Sequence, residues 1–295
     1  ELHDRDPFRL IHLEVRAVQR WRHGPLLVRL RSGMVPRLYR GMGEYERARE
    51  LAEQALQRAE KIKNNNLINL ALINLAHVHL LQGQLDAAQT HLQRCLTLAT
   101  EMGSKERIAE ARWLLAHVQL ERGDWSAARA TAESALALAT EIGRRLIEGQ
   151  VLRVLSQVAQ RQNDLATARA LAEQSVAVLS ASKNQFEWAK SQQHLASVCR
   201  DSGEVARARD LLEQARQTFA QLGAHAEEAR LRALAEGLLS SRRRISLERD
   251  PDTARRALGE HVWSLVSEER PLSEERHARG PTPAALADVL RSLER

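Results

Sequence analysis

The sequence predicts an all-α protein, an α-solenoid of stacked antiparallel helix pairs. Three observations predict it. The apolar content, 43% of 295 residues, is mainly Leu, Ala and Val, with only 3% aromatics. Ala and Leu lose little entropy in a helix, and Ala lets helices approach closely. Gly43, Gly83, Gly123, Asn163 and Gly203 recur every 40 residues. In the same register run Ala48, Ala88, Ala128, Ala168 and Ala208; Val35, Leu75, Leu115, Leu155 and Leu195; and Leu38, Val78, Val118, Val158 and Val198. Four columns in step across five copies are the mark of a repeat architecture.

Each column has a physical job. The Gly column follows helical runs such as ALINLAHVHLLQG and suits the left-handed residue just past a helix end, which Gly adopts without steric penalty. Asn163 is the next-best residue for that conformation. Glu44, Gln84, Asp124, Asp164 and Glu204 follow, suited to starting the next helix. The Ala column lets that second helix press on the first. The Leu and Val columns lie three residues apart on one helical face and form the expected core. Each repeat therefore reads as helix, short turn, helix, linker. Met102-Gly103, Ile142-Gly143 and Leu222-Gly223 close three of the second helices; Lys63 and Lys183 hold the same place and suit it less well. No single pair buries its apolar face alone, so stacking supplies the core.

The pattern around Leu75-Ala76, Gly83, Leu85, Ala88, Cys95 and Leu96 resembles the tetratricopeptide repeat. The 40-residue period is similar to the longer-helix variants of kinesin light chains and of bacterial regulators of the maltose-activator type. The resemblance covers residues 28–240, with repeats near 28–65, 66–105, 106–145, 146–185 and 186–224 and a degenerate one at 225–240. It implies a right-handed superhelix whose concave face, lined by the first helices, binds protein segments. Residues 1–27 read as an N-terminal helix from a divergent or half repeat. Residues 241–295 read as a charged helical extension: Arg242 to Arg244, a helix near 251–268, a loop, and a last helix from Thr282-Pro283 bearing Leu286, Val289, Leu290 and Leu293. That last helix is a candidate for docking on the array or for self-association.

Composition excludes other classes. The net charge is +6, concentrated in residues 1–40, which hold nine Arg against four acidic residues. No sustained basic stripe runs along the array, so direct nucleic-acid binding is not expected. Two distant cysteines, Cys95 and Cys199, argue for a reducing compartment, and both occupy core positions. No apolar stretch has the length of a membrane span, and no signal peptide shows. A cytoplasmic protein is expected, and 39 Arg against 5 Lys suits a GC-rich bacterial source. The chain begins at Glu1 rather than Met, which reads as part of a longer protein. Phosphate-binding loops, His-Glu-x-x-His and Cys-x-x-Cys are absent, so neither an enzyme, a cofactor nor a metal is expected. His77, His79 and His117 lie near one another in register without accompanying cysteines or acids, and read as packing or groove residues.

The candidate partner-binding residues are those of each first helix facing away from the Leu column. They are Arg37 and Arg40, then Asn74 and His77, then Trp113 and His117. Further along come Arg153, Gln157 and Arg161, and then Lys190, His194 and Arg200. The resemblance implies that Asn74 bonds the backbone of a bound peptide, a role not repeated at Leu114, Val154 or His194. Trp113 is expected as an exposed anchor, while Trp125 is expected in the core. The cations on this face outnumber Glu110, Glu121 and Asp201, predicting an acidic partner segment or a terminal carboxylate. The reading is a non-catalytic peptide-binding scaffold or sensor in a bacterial signalling or transcription-regulatory protein. A small-molecule-sensing regulator domain is the alternative.

Overall fold

A computed structural model describes residues 39–40, 43–181, 184–224 and 227–233. The expectations for residues 1–27, Val35, Arg37, Leu38, Lys183 and residues 241–295 lie outside them. The described residues contain helices and short turns and no strand. In chain order the helices are α1 (Tyr45–Lys61), α2 (Asn65–Leu81), α3 (Leu85–Glu101), α4 (Lys105–Arg122) and α5 (Trp125–Glu141), then α6 (Arg145–Arg161), α7 (Leu165–Ser180), α8 (Gln185–Asp201) and α9 (Val205–Gln221). The even-numbered helices are the first helices of repeats; the odd-numbered ones are the second.

The turns work by one device. At Gly83, with φ +72°, the amide N–H donates to the Leu80 carbonyl, while the Gln84 N–H donates to that of His79. This pair of bonds closes the helix end. Gln84 is also the N-cap of α3, so one residue ends a helix and starts the next. The same two bonds recur at Asn163 and Asp164, with Asn163 at φ +60°. Asp124 and Asp164 add a side-chain cap, accepting from the N–H of Ala127 and Thr167. Glu44, Gln84 and Glu204 hold cap positions without that bond. Lys63 takes the left-handed conformation too, at φ +51°.

The core is the predicted spine with two amendments. All five members of the Ala column are fully buried, as are Val78, Val118, Val158 and Val198. Leu75, Leu155 and Leu195 are buried, whereas Leu115 is only half-buried. Second helices bury a seam of small residues: Ala128, Ala132, Ala135 and Ala139 on α5, Ala48, Ala52, Ala55 and Ala59 on α1. Where that seam carries a larger residue its neighbour shrinks. Leu179 on α7 stands where α3 and α5 have Ala99 and Ala139, and it faces Gly149 on α6. A Cβ at Gly149 would lie 2.4 Å from Leu179 Cγ. Cys95 and Cys199 are buried thiols, as their register positions predict.

Trp125 corrects the expectation of a core residue: it is 38% exposed. It opens α5 immediately after the Asp124 cap. Among the described residues no helix is long and apolar enough to cross a membrane.

Candidate functional site

Consecutive helices pack as antiparallel neighbours, and in addition the first helices of successive repeats touch: α2 with α4, α4 with α6, α6 with α8. Second helices do not pack on one another to a comparable extent. First helices therefore sit at the smaller radius, and their outward-facing residues line the inner face. Burial agrees. The helix α2 has buried residues all round, whereas α1 and α5 bury only their Ala seams.

Arg40, from the first repeat, contributes electrostatically to the titration of Glu187 and Lys190 of α8.

The residues of the inner face form a continuous patch. The His77 ring meets Trp113 edge-on, with centroids 5.4 Å apart at 79°. His117 lies one turn further along α4, next to Arg153 of α6, which contributes to its titration. Arg153 crosses to α8, where its guanidinium donates to the Glu187 carboxylate at 2.6 Å, to the Glu187 carbonyl at 3.2 Å and to Ser191 Oγ at 2.9 Å. Arg153 and Glu187 are 11% and 12% exposed at their side chains. Lys190 lies 3.7 Å from Glu227 and over the Phe186 ring.

Enclosure sets the charge states. Burial by itself raises the Glu187 carboxyl, but Arg153 and Lys190 outweigh it and hold the group down at about 2. Burial, reinforced by Arg153 and Lys190, pushes His117 down to about 4. Burial and Arg153 push His194 down to about 3. Burial also lowers Lys190, against the pull of Glu187 and Glu227. At neutral pH Glu187 is thus charged, and His117 and His194 are uncharged.

The sequence-predicted residues divide into three groups. His77, His117, Arg153, Gln157 and Lys190 are half-buried on the inner face, and Arg40 in the first repeat is half-buried too. Asn74 and His194 are buried in the wall, His194 against Ser156 Oγ at 2.7 Å. Arg161 and Arg200 are exposed at the ends of α6 and α8, Arg200 beside Asp201. Trp113 corrects the expectation of an exposed anchor: it is 5% exposed, with α4 packed between α2 and α6 and the His77 ring against its own.

Glu187, Ser191 and Glu227 were not foreseen. A signal for Glu187 exists in the sequence. Opposite charges spaced by about one repeat pair across helices, as in Glu60–Arg94, Asp86–Arg122, Glu106–Arg144, Arg153–Glu187 and Glu173–Arg207. The column residues do not reveal it. Among the described residues no three of His, Cys, Asp or Glu come together to hold a metal ion.

Comparison with known proteins agrees with this architecture. The tetratricopeptide repeat family profile matches residues 37–101, 67–141 and 107–181. No curated protein sequence matches the chain significantly. Among solved structures, NprR in complex with its cognate peptide NprX aligns with TM-score 0.65 at 16% identity, over 98% of this chain and 78% of that one. BtubC (BKLC) from P. vanneervenii aligns with TM-score 0.53 at 19% identity, over 75% of this chain and 93% of that one. A Rap protein complexed with competence and sporulation factor aligns with TM-score 0.51 at 17% identity. There the alignment covers 70% of this chain and 62% of the other. With their 40-residue helix pairs, small-residue seams and inner row of first helices, residues 37–181 of the chain belong to the tetratricopeptide repeat family.

Proposed function

We propose that this chain is a non-catalytic sensor or scaffold that binds a peptide segment of a partner along the face formed by α2, α4, α6 and α8, within a bacterial signalling or transcription-regulatory protein. The observation that carries the reading is the make-up of that face. Packing alone would fill an enclosed row of helices with apolar side chains, since burying charge is costly. Here His117, Arg153, Glu187 and Lys190 occupy it instead. Two of the structurally similar proteins, NprR and the Rap protein, are peptide complexes, which supports the same choice of ligand. The degree of enclosure also favours a second reading, a small molecule held within the curl.

The expectation of an acidic partner loses its main support. It rested on cations available to a ligand, and Arg153 and Lys190 are engaged by Glu187 and Glu227. Capture experiments with the immobilised chain test the reading. His117→Ala and Gln157→Ala, on the inner face, should each reduce partner recovery several-fold. Arg94→Ala, on the outer helix α3, should leave it unchanged. Equal recovery by all three variants rejects the inner face as the binding surface.

A further inference from the structure

The junction between the α6–α7 pair and α8 is built differently from the one before it. Ser156 on α6, Ser175 on α7, and Ser191 and His194 on α8 are all buried. One repeat earlier the same register holds Ala116, Ala135, Val151 and Val154, buried as well, and Ile147 stands at the place of Glu187. Polar residues have thus replaced apolar ones at matching core positions of a single junction. The apolar core reflects it. One continuous cluster runs from Ala59 to Val158 of α6, whereas Ala159, Ala168 and Val198 form a small cluster apart from it.

Two chains of hydrogen bonds cross this junction. In the first, Arg153 donates to Ser191 Oγ at 2.9 Å, and Ser175 Oγ lies 2.8 Å from Ser191 Oγ and donates to the Gly149 carbonyl at 2.7 Å. The one proton of Ser175 being committed to Gly149, Ser191 donates to Ser175. In the second, Ser156 donates to the Ala168 carbonyl at 2.5 Å, so it accepts from His194 Nε2–H at 2.7 Å. The bonds to Gly149 and Ala168 stay within the α6–α7 pair, which Leu179 also closes against Gly149. The bonds from Arg153 to Ser191 and Glu187, from Ser191 to Ser175 and from His194 to Ser156 all cross to α8.

These two kinds of junction respond differently to opening. Parting an apolar junction exposes hydrocarbon to water, and nothing compensates for it. Parting a satisfied polar one lets water take the place of each lost partner, so the net loss per hydrogen bond is small. Buried ion pairs likewise add little cohesion compared with apolar residues of similar volume, although they fix one geometry while closed. In a repeat array each unit rests on its neighbours, so the least cohesive junction is where cooperativity breaks. We propose that the α7–α8 junction is a joint built into the array, at which α8 and α9 open as one block from the helices before them, with Arg153, Ser175, Ser191, Ser156 and His194 as its latch. The closed latch holds one geometry of the inner face, and its opening changes the curvature there. This inference goes beyond the peptide-binding reading and does not require it.

Native-state hydrogen exchange of the full chain in low urea, read by mass spectrometry, tests the joint. The expected result is a step, in which amides of α8 and α9 open together with protection at least about tenfold below that of α4 and α6. An apolar variant combining Ser156→Ala, Ser175→Ala, Ser191→Ala and His194→Leu uses the residues that the chain itself carries at 116, 135, 111 and 114. It should raise the protection of α8 and α9 by about tenfold and leave α4 unchanged. Glu187→Gln, which takes the charge partner from Arg153, should lower that protection by a similar factor. Where the fourfold variant does not fold, Ser175→Ala with Ser191→Ala makes the same comparison. Protection that falls smoothly from α5 to α9 is fraying from an end and overturns the joint. So does an apolar variant whose α8 exchanges as fast as that of the wild type, or faster.

Discussion

Gly149 and Leu179 show how one residue's size is decided by another thirty positions away. The seam of α7 carries Leu179 where neighbouring repeats carry Ala, and α6 yields by placing Gly149 against it. Gly149→Ala should destabilise the chain by about 1–3 kcal/mol through overpacking. Adding Leu179→Ala should recover much of that loss, measured as a double-mutant cycle in urea. The buried imidazoles make a second residue-scale prediction. His117 and His194 have folded-state values of about 4 and about 3, below the ordinary 6.5. The unfolded chain therefore binds protons first as pH falls. Their contribution to stability is complete above about 6.5 and is lost progressively as pH drops toward 4 and 3. The loss approaches about 2 kcal/mol for each histidine by roughly pH 5. Glu187 adds a further loss only below about 4.5, as pH falls toward its folded value of about 2. Melting temperature should decline steadily from neutral pH to pH 5, and His117→Asn should flatten that slope by nearly one proton.

At the scale of the element, helix ends were readable because local sterics set them. The left-handed residue, its two backbone bonds and the cap that follows depend on residues within one turn. Lys63 is the poorest fit, holding φ +51° with a side chain where other repeats use Gly103, Gly143 and Gly223. Lys63→Gly should raise stability by about 1 kcal/mol, the cost of the left-handed conformation for an ordinary residue. A rise of a few degrees in melting temperature would show it; no change or a fall would contradict this account of the turn. Helix faces were equally legible where period alone decides them, as in the Ala and Val columns. They were not where an end meets solvent. Trp125, like Tyr45 and Leu85 in the same register, opens its helix, and none of the three is buried.

At the scale of the molecule, each described repeat rests on its neighbours. Stability of such arrays is a sum of repeat and interface terms. Leu212, buried on α9, belongs to the last complete described repeat. Leu212→Ala should loosen that end first, at a cost of about 2–5 kcal/mol. In single-tryptophan variants keeping either Trp113 or Trp188, the Trp188 signal should then melt at lower urea than that of Trp113. Coincident transitions would mean that the curled array unfolds as one unit.

The sequence by itself determined the class of fold, the turns and most of the spine. All of these follow from spacing along the chain and from the conformational preferences of single residues. It also offered His117, Arg153 and Lys190 as candidates for the inner face. Only the tertiary structure decided which of these are available to a ligand. Packing encloses Trp113, and it pairs Arg153 with Glu187 across to α8. Curvature is a sum of small rotations at every interface, and each depends on how side chains of different repeats fill space together. A register of columns records which face a residue is on, but not how closely the next helix stands against it.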